Sequence, residues 1–95
     1  MSRDTADTLR DMMDYTVKNN YRLYGRFLNH DVCAKTGTAE IGDGNAHAWV
    51  TGFCQNEDYP LAFAVVVENG NSGINVAIPA AEYVLDRAAA LYHQQ

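Results

Sequence analysis

The sequence predicts an α+β fold: a three-stranded antiparallel sheet flanked by an N-terminal and a C-terminal helix. Three observations predict it. An apolar stripe at helical spacing opens the chain, three β-rich runs fill its middle, and a second helical stripe closes it. The runs are joined by short polar turns, and connections this short join strands antiparallel.

The first helix is expected from about Thr5 to Asn19. Leu9, Met12, Met13, Thr16 and Val17 recur at spacings of three and four and share one face. Ser2 or Asp4 can cap its start, Asp4 and Asp7 suit the positive end of the helix dipole, and Asn19-Asn20 marks its stop. Tyr21 to Asp31 has no clear period; its Tyr, Leu and Phe residues are expected to pack, with Gly25 as a break. Val32 to Ile41 is rich in β-branched and small residues, and Gly42-Asp43-Gly44-Asn45 is a strong turn signal. Ala46 to Cys54 forms the second run, with Trp49 and Phe53 read as core aromatics. After a polar turn, Leu61 to Val67, which includes Phe63, is apolar throughout, as in a strand covered on both faces. Gly70 to Gly73 closes it. The last helix is expected from about Val76 to Tyr92, with Ile78, Ala81, Leu85, Ala88 and Leu91 or Tyr92 as its stripe. Pro79 then falls in the first turn, where no amide hydrogen is needed. Two such helices can cover one face of the sheet.

Composition narrows the function. The 95 residues carry seven basic and twelve acidic side chains, for a net charge of −5, which argues against nucleic acid as a main partner. This length allows one domain, burying only roughly 60–65% of its unfolded surface. The longest uncharged runs, Gly44 to Asn56 and Asn69 to Ala81, are too short and too polar to cross a bilayer, and no signal-peptide pattern opens the chain. Cys33 and Cys54 are too few for a disulfide framework and read as small buried apolar residues; a bridge between strands stays open on sequence alone. The three histidines form no metal-ligand pattern, and no cofactor is implied. Cysteine catalysis fails on spacing. His47 and Cys54 lie seven apart on one expected strand, on opposite faces and about 23 Å from each other, and His30 and Cys33 are also oddly spaced.

Lys35-Thr36-Gly37-Thr38 is the stretch most able to carry chemistry. An ammonium, two hydroxyls and a glycine stand together on an expected edge strand. Lysine supplies positive charge, the hydroxyls supply donors, and Gly37 lets a ligand backbone approach closely. The free edge can pair with an extended peptide. A plainer alternative is a solvated edge whose lysine discourages aggregation. It is not a P-loop, because the lysine precedes the glycine and a strand follows.

Three segments in register carry a wider resemblance. Lys35-Thr36-Gly37-Thr38-Ala39-Glu40, Ala48-Trp49-Val50-Thr51-Gly52-Phe53, and the apolar run from Leu61 to Val67 with Glu68-Asn69-Gly70 are followed by a helix opening Ala77-Ile78-Pro79-Ala80-Ala81. From about Thr5 to Leu91 the chain resembles the C-terminal end of a penicillin-binding protein transpeptidase domain. The resemblance implies a serine acyltransferase superfamily that cross-links peptidoglycan stem peptides and is acylated by β-lactams, on the extracytoplasmic face of the bacterial membrane. It implies that Lys35 gives electrostatic support and that Thr36 and Thr38 meet the substrate carboxylate. The Thr38 amide would form half of an oxyanion hole. The strand with Gly37 would line one wall of the cleft.

The departures matter as much. The family also uses Ser-x-x-Lys and Ser-x-Asn. The chain has two serines, Ser2 and Ser72, and neither stands in either motif. It therefore looks like a C-terminal fragment holding one wall of an active site and inactive alone. A non-catalytic interaction domain on the same scaffold is the second reading. The resemblance also implies a five-stranded parent sheet, which leaves the Leu61 to Val67 strand at a cut edge and predicts self-association there.

Overall fold

The computed structural model describes residues 1–40, 46–58 and 60–92. Helix α1 (Arg3–Asn19) passes through a 3₁₀ turn (Tyr21–Tyr24) to strands β1 (Val32–Glu40), β2 (Ala46–Cys54) and β3 (Ala62–Val67). A π-helical turn (Gly73–Ala77) then runs into helix α2 (Ile78–Tyr92). The sheet order is β1-β2-β3, and both pairings are antiparallel. This is the α+β arrangement that the sequence predicts. The expected Gly42–Asn45 turn lies outside the described residues.

Caps explain the helix boundaries. The Ser2 hydroxyl accepts the Thr5 amide at 3.2 Å, so α1 starts at Arg3, two residues before the apolar stripe suggests. The Ser72 hydroxyl accepts the Asn75 amide at 3.1 Å and opens the π-helical turn, so the last α-helix begins at Ile78 rather than Val76. Pro79 takes its second position. Gly25 ends the 3₁₀ turn at φ 75°, a conformation that favours glycine.

The sheet has two unlike faces. Register places Ala34, Gly52 and Phe63 in one row and Thr36, Val50 and Val65 in the next, all on one face. That face holds the core, with Ile78, Ala81 and Leu85 of α2, and with Val17, Tyr21 and Phe27 at its β1 end. Phe27 and Phe63 pack as tilted rings with centroids 6.3 Å apart. On the other face, α1 reaches only β1: the Cys33 thiol meets the Arg10 carbonyl at 3.5 Å, and Lys35 borders a cleft with Leu9, Met12, Met13 and Thr16. The helices therefore do not share a face as expected. α2 covers the core face, and α1 flanks the edge strand.

This placement corrects three further expectations. β3 is not covered on both faces: Phe63, Val65 and Val67 are half-buried, whereas Ala62, Ala64 and Val66 are exposed, because α1 does not extend to β3. Trp49 and Phe53 are half-buried on the α1 side, and the fully buried aromatics are Tyr21 and Phe27. In the segment before β1, Leu23, Tyr24 and Leu28 are exposed rather than packed. Besides the buried Tyr21 and Phe27, polar bonds hold that segment. Arg22 donates to the carbonyls of Phe27 and His30, Arg26 donates to that of Ile74, and the His30 ring lies 2.7 Å from an Asp86 carboxylate oxygen.

Candidate functional site

Strand β1 carries all four residues singled out by sequence, and its pairing dictates which way each points. Lys35 and Gly37 face α1, while Thr36 and Thr38 face the core side. The backbone direction follows from one hydrogen bond. The Thr36 amide donates to the Tyr21 hydroxyl at 2.9 Å, so it points away from β2. Antiparallel pairing alternates inward and outward groups, so Lys35 and Gly37 bond to β2 while Ala34, Thr36 and Thr38 present amide and carbonyl at the outer edge.

The two threonines then differ. Thr36 is only 9% exposed. Its hydroxyl lies 3.0 Å from the Tyr21 hydroxyl, and its carbonyl accepts the Lys35 ammonium at 2.7 Å. Gly73 presses on it from below, since a Cβ there would lie 2.7 Å from Thr36 Cβ. Thr38 is exposed, and among the described residues its hydroxyl has no hydrogen-bond partner. Gly37 sits under the Trp49 indole, its direct partner on β2, and a side chain at this position would run into the ring. The strand thus has an open edge at Thr38, with a closed edge and the Lys35 ammonium at Thr36 two residues away.

The family model for the penicillin binding protein transpeptidase domain matches residues 1–86. The chain belongs to the penicillin-binding protein transpeptidase domain family. No curated protein matches the chain, and no solved structure does.

In this transpeptidase-domain chain the remaining nucleophile candidates have other tasks. Ser2 and Ser72 cap helix starts. Cys33 and Cys54 are both buried and free. They sit on paired strands one register step apart, Cys33 opposite Phe53 and Cys54 opposite Val32, so their side chains leave opposite faces and cannot bridge. Burial, helped by the charges of Asp14 and Asp31, pushes the Cys33 thiol up to about 11, and burial also raises Cys54. Neither supplies a thiolate near neutral pH. The histidines bind elsewhere: His30 meets Asp86, and His47 Nδ1 accepts the Asn69 amide at 3.0 Å. Among the described residues no cluster of metal-ligating side chains forms, and no helix is long and apolar enough to cross a membrane.

Sequence reasoning missed Tyr21. It lies just past the α1 stop, outside any periodic pattern, and its hydroxyl reaches fifteen residues along the chain to Thr36. The available signal was an aromatic with a polar tip between a helix stop and a glycine break.

Proposed function

We propose that this chain supplies the substrate-binding wall of a peptidoglycan D-Ala-D-Ala transpeptidase. The observation that carries the reading is the outward, exposed edge of β1 at Thr38, in a chain of the transpeptidase family. A stem peptide, or a β-lactam in its place, pairs with the Thr38 amide and carbonyl as an added strand. The Thr38 amide serves as an oxyanion donor, meeting charge that develops only in the transition state. The Thr38 hydroxyl and the Lys35 ammonium attract the substrate carboxylate. Gly37, with no side chain, keeps Trp49 seated and the strand flat beneath the ligand. Thr36 joins the carboxylate site only when its hydroxyl parts from Tyr21.

The nucleophile comes from outside these residues, since both serine hydroxyls cap helices and neither stands in Ser-x-x-Lys. The complete enzyme works on the extracytoplasmic face of the bacterial membrane, where its peptidoglycan substrate lies. Incubation with a β-lactam followed by intact-mass measurement tests the assignment. The expected result is an unmodified chain. A stable acyl adduct on Ser2 or Ser72 contradicts it.

One observation favours a non-catalytic interaction domain on the same scaffold. The Thr36 end of the edge is closed by the chain's own Tyr21. The two readings part on ligand chemistry. The wall of a transpeptidase prefers a D-Ala-D-Ala carboxylate, whereas an interaction domain binds extended peptides without regard to that terminus.

A further inference from the structure

We propose that Tyr21 is a positioning residue for the β1 edge, closing it at Thr36 and so confining an added strand to the Thr38 end of β1. The proposal rests on the substrate-binding reading above and deepens it. A strand that adds to an edge needs the free amide and carbonyl of alternate residues. On β1 those residues are Val32, Ala34, Thr36, Thr38 and Glu40. Thr36 has neither group free: Tyr21 Oη holds the amide at 2.9 Å and Lys35 Nζ holds the carbonyl at 2.7 Å. Tyr21 also takes up the Thr36 hydroxyl at 3.0 Å, so one phenol satisfies two polar groups of a buried residue.

The phenol is held firmly in place. Tyr21 is 2% exposed, and the segment that follows is tied to itself by Arg22 and to Ile74 and Asp86 by Arg26 and His30. To extend past Thr38 toward Ala34 an incoming strand must replace the Tyr21 bond to the amide and the Lys35 bond to the carbonyl, and moving the buried phenol aside strips the Thr36 hydroxyl of its partner, which is costly. The edge therefore has a fixed stop. A ligand that pairs at the Thr38 end of β1 meets this stop rather than running on toward Ala34.

Amide hydrogen exchange followed by nuclear magnetic resonance on the full chain tests this, with a peptide ending in D-Ala-D-Ala as the probe. Tyr21→Phe keeps the ring and removes the hydroxyl. Thr36→Val keeps the amide and removes the other partner. The backbone amide at position 36 is expected to be about tenfold less protected in Tyr21→Phe than in wild type, and unchanged in Thr36→Val. Added peptide is expected to protect Thr38 but not Thr36 in wild type, and both Thr36 and Thr38 in Tyr21→Phe. Equal Thr36 protection in wild type and Tyr21→Phe would overturn the proposal, as would peptide protection of Thr36 in wild type. If the peptide protects Thr38 in neither protein while the Thr36 difference persists, the substrate-binding reading fails and the closure by Tyr21 stands.

Discussion

Gly37 and Trp49 face each other across β1 and β2, and the indole occupies the space where a side chain on residue 37 would stand. The glycine of the Lys-Thr-Gly stretch is thus required by packing against the Trp49 indole. Gly37→Ala is expected to cost about 1–3 kcal/mol, because the ring must leave its seat. Urea unfolding gives the loss, and Trp49, the single tryptophan, reports the displacement as a shift in emission. An alanine variant with unchanged emission and stability contradicts this packing.

The link from His30 to Asp86 ties the segment before β1 to α2. The imidazole is 8% exposed, so losing its partner leaves a largely buried polar ring short of a bond. Asp86→Ala is expected to lower stability by about 1 kcal/mol, and Asp86→Asn by less, since the amide oxygen still accepts. Denaturant titration of the two variants checks the order.

Burial of Cys33 makes stability fall at alkaline pH. Its thiol is raised from 9.0 to about 11 in the folded chain. A raised value means that the fold favours the neutral form. The stabilisation is therefore complete below pH 9 and is lost as pH climbs toward 11. Cys33→Ala is expected to flatten the stability profile over this window. Ellman's reagent at pH 8 is expected to find both cysteines unreactive in the native chain and reactive in denaturant.

At the other side of the sheet, β3 has the profile of a self-associating edge. Its pairing turns the backbone groups of Ala62, Ala64 and Val66 outward, and the same residues have exposed side chains, with Val66 64% exposed. We propose that two chains pair there. Sedimentation is expected to show a concentration-dependent dimer in wild type and a monomer in Val66→Lys, because a lysine on the edge discourages pairing. A wild-type monomer at high concentration overturns this.

Much of the fold was legible because side-chain period reports secondary structure directly. The turn signals on either side of Ala46 to Cys54 gave β2 its observed bounds, and the Leu9 to Val17 stripe gave α1 its apolar face and its end at Asn19. What the period cannot tell is which surface meets which. Leu61 to Val67 reads the same whether one face or two are covered, and only the reach of α1 decides it. Likewise, Lys35 to Thr38 was visible as a chemical stretch, but the difference between a closed Thr36 and an open Thr38 depends on Tyr21. That contact joins two segments through a single hydroxyl and leaves no periodic trace. The π-helical turn was missed for a related reason: Ser72 caps it through its side chain, which stripe spacing does not register.

Recognition of a D-Ala-D-Ala carboxylate is proposed to take place at the Thr38 edge of β1. The most direct measurement is a titration of the isotope-labelled chain with a D-Ala-D-Ala peptide and with its C-terminal carboxamide, followed through backbone amide shifts. Saturable shifts centred on Lys35 to Thr38 are expected with the carboxylate peptide, and markedly weaker ones with the carboxamide. Equal responses to both peptides, or shifts confined to the β3 edge, would contradict it.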